Sequence, residues 1–271
     1  MHESKVSGRM IPESEKHDLY FNLALEEVIL ELMPQSECPF ILRFWRNPPS
    51  VVLGRSQELK EEVNEDFCKK HGIQIARRIS GGGAVYHDEG NLNVSFFFLK
   101  KILPNGTSVK EINAFFRGLL IDSLSLAGID GIRKEGCSNV FWKDRKISGF
   151  AGYQKTNHAL HHATLLLDVD LNMLEGALLV KDPEPKHSRA SKYCPTVNLA
   201  QLNLEEWKAN LCSLIEERLG VGLESSNIFQ QEEVISKSLC ERMYSTREWI
   251  YFKKRVLLRE MITELGFPIP S

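Results

Sequence analysis

Apolar positions recur along this chain with two periods. Between Asp18 and Pro34, residues Leu25, Val28, Ile29 and Leu32 follow the i, i+3, i+4, i+7 spacing of one helix face. Asp18 can cap that helix, and Pro34, which lacks an amide hydrogen, stops it. Residues 40–45 and 51–54 read as short strands joined by the Asn47-Pro48-Pro49 turn, which leaves Arg55 at a strand end and at the rim of whatever the strand borders. Residues 58–70 read as a charged helix with Val63 and Phe67 on one face, and 92–98 as a buried strand entered through Gly90-Asn91. Ser108 opens a helix striped by Ile112, Phe115, Phe116 and Leu119, and Gly128 ends it. Strand-like runs follow at 129–133, 140–142, 146–151 and 159–169; the turn Lys143-Asp144 is short enough for a hairpin, so Lys146 stands just past a turn. Residues 171–180 read as a short helix, 181–195 as a polar, proline-containing loop suited to a lid, and 204–219 and 230–244 as helices before a basic-apolar tail.

One segment interrupts this alternation. In Arg77-Arg78-Ile79-Ser80-Gly81-Gly82-Gly83-Ala84-Val85-Tyr86-His87-Asp88, a strand ends near Ile79 and another begins at Ala84, so the glycines lie in the connection. Glycine permits positive φ and lets a backbone approach a ligand closely. Successive amides in such a turn make a donor nest, and adjacent arginines add forked donors, a combination suited to an anion. The plainer alternative is a β-hairpin turn carrying a solvated arginine pair. A P-loop is excluded, because no Gly-Lys-Ser/Thr follows at the required spacing.

Composition narrows the class. The 271 residues are 42% hydrophobic and 26% charged, values of an ordinary globular protein able to bury a sizeable core. A net charge of −2 offers no footprint for nucleic acid. The six cysteines are scattered without a C-x-x-C pair, which argues against a zinc knuckle or a disulfide scaffold and fits a reducing compartment. The polar N-terminus has no apolar signal region, so neither membrane nor export is expected. The expected location is the cytoplasm or, had a presequence been removed, the mitochondrial matrix.

Two blocks carry a family resemblance. Arg78-x-Ser80-Gly81-Gly82-Gly83-Ala84-Val85-x-His87-Asp88, continuing to Gly90-Asn91, resembles the signature loop of the lipoate–protein ligases, within the larger group of biotin ligases and octanoyl transferases. Asp144-Arg145-Lys146-Ile147-Ser148-Gly149-x-Ala151, followed by His161-His162-x-Thr164-Leu165-Leu166-Leu167, is similar to the stretch where those ligases place their essential lysine. The likeness runs from about Tyr20 to Leu199. It implies an α+β (mixed α/β) fold, with largely antiparallel or mixed β-sheets flanked by helices, forming a biotin/lipoate ligase-like catalytic domain. That domain would span 1–245, with 246–271 as a C-terminal tail and the accessory domain absent or truncated.

The resemblance implies ATP-dependent activation of lipoate to lipoyl-AMP and transfer of the lipoyl group to a lysine of a lipoyl-domain acceptor. That acceptor would be a 2-oxoacid dehydrogenase subunit or a glycine-cleavage H-protein type, and a separate accessory polypeptide is a further expected partner. Lys146 is then the catalytic residue, since a compact ammonium can bridge a carboxylate and a phosphate; its removal would cost about 3 to 4 kcal/mol of barrier. Cofactor contacts fall to Arg55, Arg78, Ser80, Gly81, Gly82, Gly83, Ala84, Val85, Tyr86, Asn91, Ser148 and Gly149. His162 and Cys137 are expected in the substrate pocket. His161 and His162 point to opposite faces of a strand, so they cannot share a metal. Mg²⁺ is expected with ATP, but its protein ligands are open, because Gly136-Cys137-Ser138-Asn139 stands where ligases often carry Asn-Asp. Cys137 also keeps open an octanoyl or lipoyl transferase that uses a preformed acyl donor through a thioester. A non-catalytic binder of lipoyl domains is the third reading.

Overall fold

The computed structural model describes residues 6–13, 18–104, 106–136, 138–180 and 190–269. Its strands are β1 (Val6–Ile11), β2 (Phe40–Trp45), β3 (Ser50–Leu53), β4 (Gln74–Arg77), β5 (Val85–His87), β6 (Asn91–Leu99), β7 (Ile132–Glu135), β8 (Asn139–Trp142), β9 (Arg145–Gln154), β10 (His158–Leu166) and β11 (Val221–Ser225). Its helices are α1 (Leu19–Leu32), α2 (Leu59–Glu62), α3 (Glu65–His71), α4 (Val109–Leu126), α5 (Leu171–Ala177), α6 (Leu204–Leu219), α7 (Gln230–Leu239), α8 (Arg247–Phe252) and α9 (Leu258–Glu264). An 8-stranded sheet runs β11-β1-β2-β6-β10-β9-β8-β7, and a 3-stranded sheet runs β4-β3-β5. β1 is parallel to β2 and β11, whereas β2, β6, β10, β9, β8 and β7 pair antiparallel in turn. This is the expected α+β class with mixed sheets.

Helices cover both faces of the large sheet, which explains why β2 and β6 are apolar at nearly every position. Ile41 and Trp45 of β2 face α1 and the C-terminal helices, while Phe40, Leu42 and Phe44 face α4 and α6. α1 starts at Asp18, whose carboxylate accepts from the amides of Tyr20 and Phe21, and it gives way at Leu32 to a short 3₁₀ turn holding Pro34. Among the described residues no helix is long and apolar enough to cross a membrane.

Several elements differ from the sequence reading. The single helix expected over 58–70 is two short ones, because Val63 leaves the helix to bridge Leu178 and the Asn64 side chain caps α3 on the amide of Phe67. The stretch 230–244 ends its α-helix at Leu239 and finishes in a wider π-type turn over Cys240–Tyr244. β1 and β11 were not anticipated; they extend one edge of the sheet as parallel neighbours. Most of the lid expected over 181–195 lies outside the described residues, as residues 181–189 do.

The stretch 246–271, expected as a tail, contributes to the core. Trp249, Met261 and Ile262 pack with α1, and the Trp249 indole donates to the Arg77 carbonyl at 2.8 Å. Arg77 in turn donates through Nε and Nη2 to the Ile250 carbonyl at 2.9 and 2.7 Å, which locks α8 onto β4. Trp249→Phe leaves that Arg77 carbonyl without its donor, so the denaturant midpoint should report a loss of about 1–3 kcal/mol. An unchanged midpoint would show that the indole contact does not hold α8.

Candidate active site

Both members of the arginine pair are buried, Arg77 at 0% and Arg78 at 6% exposure, so the solvated hairpin pair is set aside. β4 and β5 flank β3 on opposite sides, and the glycine segment therefore crosses over the end of β3 instead of forming a hairpin. Arg78 shapes that crossing. Its Nε donates to Ser80 Oγ at 2.9 Å, Nη1 to the Val52 carbonyl at 3.0 Å, and Nη2 to the carbonyls of Gly81 and Gly83 at 2.5 and 2.8 Å. Gly82 has φ +86°, and a methyl on Gly54 would fall 2.1 Å from the Gly82 carbonyl oxygen, so this crossing needs glycine at both positions.

Ser191 clamps the segment from above. Its Oγ accepts from the Ala84 amide at 2.9 Å and from Gln57 Nε2 at 3.0 Å, while its own amide donates to Glu62 Oε1 at 3.0 Å. Ser191→Ala removes the first two bonds. It should lower stability by about 1–2 kcal/mol, measured by thermal unfolding, and an unchanged melting temperature would show that the clamp adds nothing.

Lys146 is set by a tight hairpin. Lys143 and Asp144 have φ of 48° and 62°, the left-handed pair that a two-residue β8–β9 turn requires. The Lys146 amide then donates to Pro195 O at 2.7 Å, and its carbonyl accepts from the Val197 amide at 3.1 Å, tying β9 to the Ser191 loop. The side chain lies across Gly149, where a methyl would sit 2.9 Å from Nζ. Burial lowers the Lys146 pKa; Cys194 nearby partly offsets this and Arg78 adds to it. Lys146 borders two cavities of about 210 and 620 Å³, which also share Ala84, Val85, Thr164, Ser191 and the exposed Lys192.

Behind the smaller cavity runs a buried polar relay. His162 Nε2 is 2.8 Å from Ser80 Oγ, and His162 Nδ1 is 2.9 Å from Glu26 Oε1. Glu26 Oε1 also accepts from Ser95 Oγ at 2.6 Å, and Ser95 accepts from the Trp45 indole at 2.8 Å. Burial would raise the Glu26 carboxyl, but His162, Ser95 and Arg43 more than offset it and hold the pKa below its ordinary value. His161 points to the other face, between the rings of Phe116 and Phe150, as strand alternation requires.

The residues singled out from sequence divide by position. Lys146, Ala84 and Val85 border both cavities; Arg78, Gly82, Gly83, Gly149 and His162 line the smaller one, and Tyr86 and Asn91 the larger. Four expected contacts lie elsewhere. Arg55 is exposed and, with Gly81, lines a depression beside Tyr153 and Trp249 on the far side of the glycine segment. Ser80 and Ser148 are fully buried and line neither cavity, and Ser80 is occupied by Arg78 and His162. The Gly149 amide, expected near a ligand, donates to Thr164 Oγ1 at 3.3 Å. Cys137 lies outside the described residues. Among the described residues no group of three or more His, Cys, Asp or Glu side chains is placed to hold a metal ion.

Glu26, Trp45, His87 and Asn93 line the smaller cavity and Cys194 the larger, and sequence reasoning missed all of them in this role. The signal for Asn93 was present: Asn91, Asn93 and Ser95 alternate through an otherwise apolar strand, which places three polar side chains on one face.

A lysine amine set where a smaller cavity meets a roomier one, under a backbone loop pinned by a buried arginine, defines a group-transfer catalytic domain. The sequence model of the lipoyl protein ligase A/B catalytic domain matches residues 18–212. Lipoate-protein ligase A subunit 1 of Thermoplasma acidophilum is 30% identical over 260 residues, covering 90% of this chain and 96% of that protein. Lipoate-protein ligase A of Blochmanniella floridana is 39% identical over 198 residues, and there the match spans 73% of this chain but 56% of the relative. A solved bi-partite lipoate protein ligase from T. acidophilum, studied with its E2 lipoyl domain, superposes with a TM-score of 0.77 at 28% identity, over 93% of this chain and 99% of that one. A lipoate-protein ligase A bound with ATP gives a TM-score of 0.73 at 29% identity, over 90% and 98%. The chain belongs to the lipoyl protein ligase A/B catalytic domain family.

Proposed function

We propose that this chain is a lipoate–protein ligase that joins lipoate to AMP at the expense of ATP and passes the lipoyl group to a lysine of a lipoyl-domain protein. The observation that carries this reading is the sharing of Lys146 by the two cavities. The smaller accepts the acyl chain and the larger the nucleotide, so their reacting ends meet at Lys146, the more buried of the two lysines that line both.

In the first half-reaction a lipoate carboxylate oxygen attacks the α-phosphorus and pyrophosphate leaves. Two anions must approach, and a fixed cation between them lowers that barrier. Lys146 Nζ has no hydrogen-bond acceptor among the described residues, so its hydrogens remain free for the carboxylate and the α-phosphate. The backbone at Gly82, Gly83 and Ala84, held in place by Arg78 and Ser191, forms the wall against which the mixed anhydride rests. In the second half-reaction the acceptor lysine attacks the acyl carbon, AMP departs, and an amide forms. Mg²⁺ is assigned to the triphosphate, whose charge it offsets.

The acceptor is a lipoyl-domain protein of the kind that accompanies the T. acidophilum ligase, and a separate accessory polypeptide is a further partner, as that ligase is bi-partite. Intact-mass analysis of an apo lipoyl-domain protein incubated with this chain, lipoate, ATP and Mg²⁺ tests the reading. A lipoyl adduct that requires ATP is expected. Absence of the adduct even with an added accessory subunit, or an adduct formed equally without ATP, would contradict it.

A further inference from the structure

Two residues that line the smaller cavity each carry a buried nitrogen with no hydrogen-bond partner among the described residues. They are His87 and Asn93, each 3% exposed, and the atoms are His87 Nε2 and Asn93 Nδ2. That His87 Nε2 is a donor follows from the side chains behind it. Arg43 can only donate, and its Nη2 meets Asn22 Oδ1 at 2.5 Å, which fixes the orientation of the Asn22 amide. Asn22 Nδ2 therefore donates, to the Arg46 carbonyl and to Asn47 Oδ1, both at 3.0 Å. Asn47 Nδ2 is thereby turned toward His87 Nδ1 at 3.0 Å, so Nδ1 accepts and Nε2 carries the ring hydrogen. Burial, reinforced by the charges of Arg78 and His162, lowers the His87 pKa to about 3, so the ring is neutral at physiological pH. Asn93 Oδ1 accepts from Asn91 Nδ2 at 3.2 Å, an orientation that leaves Asn93 Nδ2 over.

A buried donor without a partner is costly, so the cavity favours a ligand that carries acceptors to its depth and disfavours one that is hydrocarbon throughout. Trp45 lines the same cavity edge-on to His87, with ring centroids 6.3 Å apart, and indole rings attract divalent sulfur. Resting on the function proposed above, we infer that His87 and Asn93 are specificity-determining residues that recognise the two ring sulfurs of lipoate and discriminate against acids such as octanoate that end in plain hydrocarbon. Divalent sulfur is a weak acceptor, but an alkyl end offers none.

The test is kcat/KM for acid-dependent ATP–pyrophosphate exchange with lipoate, octanoate and the cyclopentyl analogue of lipoate, which keeps the ring but has a methylene in place of each sulfur. The unaltered chain should prefer lipoate over both by about tenfold or more. His87→Phe and Asn93→Leu should each shrink that preference by about threefold to tenfold, chiefly through the lipoate value. A preference left intact, or lipoate and its analogues falling in parallel, overturns the inference while leaving the ligase reading in place. Exchange with none of the acids in the unaltered chain, with its accessory partner present, overturns both. ¹⁵N NMR of the histidine rings in the unaltered chain provides a check independent of variant folding: His87 should appear as the neutral Nε2–H tautomer, and an Nδ1–H tautomer contradicts the assignment.

Discussion

Lys146→Met is expected to lower lipoate-dependent pyrophosphate exchange by about a thousandfold, the scale of losing one preorganised donor from a water-poor site, while the protein melts no lower than before. Activity falls because methionine fills the space over Gly149 but cannot neutralise a carboxylate and a phosphate brought together. Stability holds because burial already lowers the lysine pKa, which means that the folded state penalises the ammonium. The sign of the pH dependence follows. Below its folded pKa the lysine is protonated in both states and the penalty is constant. Between the folded pKa and the ordinary value of 10.5 the unfolded chain binds more protons, so wild-type stability rises with pH through that window. The Met variant lacks this rise. Thermal unfolding of both proteins across that window checks it. Near-normal exchange in the variant would remove Lys146 from the chemistry, and a large fall in melting temperature would make it a structural residue.

Arg78→Lys is the second large effect, and it separates shape from charge. The resemblance assigns Arg78 to the nucleotide, yet its guanidinium is occupied by Ser80, Val52, Gly81 and Gly83. Lysine keeps the charge but has three N–H groups in place of the planar fork, so these four acceptors cannot all keep a donor. A stability loss of about 2–4 kcal/mol is expected, together with a fall of about a hundredfold in kcat/KM for exchange as the loop loosens. If the variant unfolds like wild type and retains its activity, the arginine acts through charge and the loop is held by other contacts. Denaturant titration alongside exchange kinetics distinguishes the two.

The difference between the sequence reading and the structure of this site has a physical basis. The glycine triplet and the lysine block announced themselves, because a backbone that must pass close to a neighbour needs glycine and a tight hairpin needs its turn residues within a few positions. Helix α1 followed from its period and its cap, and α6 runs over Leu204–Leu219, the stretch read as helical. What Arg78 does could not be read locally, since three of its four acceptors are carbonyls, groups that every residue carries. Glu26, Glu27 and Glu31 gave a related difficulty. They lie buried on α1, where they meet His162, Tyr244 with Arg255, and Lys155 with Arg259, partners distant in sequence. The same distance hid the role of the last helices, which reach α1 and β4 only after the chain has closed on itself. Arg55 shows a different limit: its place after a strand was legible, but a strand end has two sides, and Arg55 faces the one with Tyr153.

The central claim is that the Lys146 amine joins an acyl cavity to a nucleotide cavity. It is tested most directly by a crystal structure with a non-hydrolysable lipoyl-adenylate analogue. The acyl chain should occupy the cavity of about 210 Å³ beside His87 and His162, and the nucleotide the cavity of about 620 Å³ beside Tyr86 and Asn91. Lys146 Nζ should lie within about 3 Å of both the acyl oxygen and the phosphate mimic. An analogue bound with its linkage away from Lys146, or with both halves in a single cavity, would contradict the account.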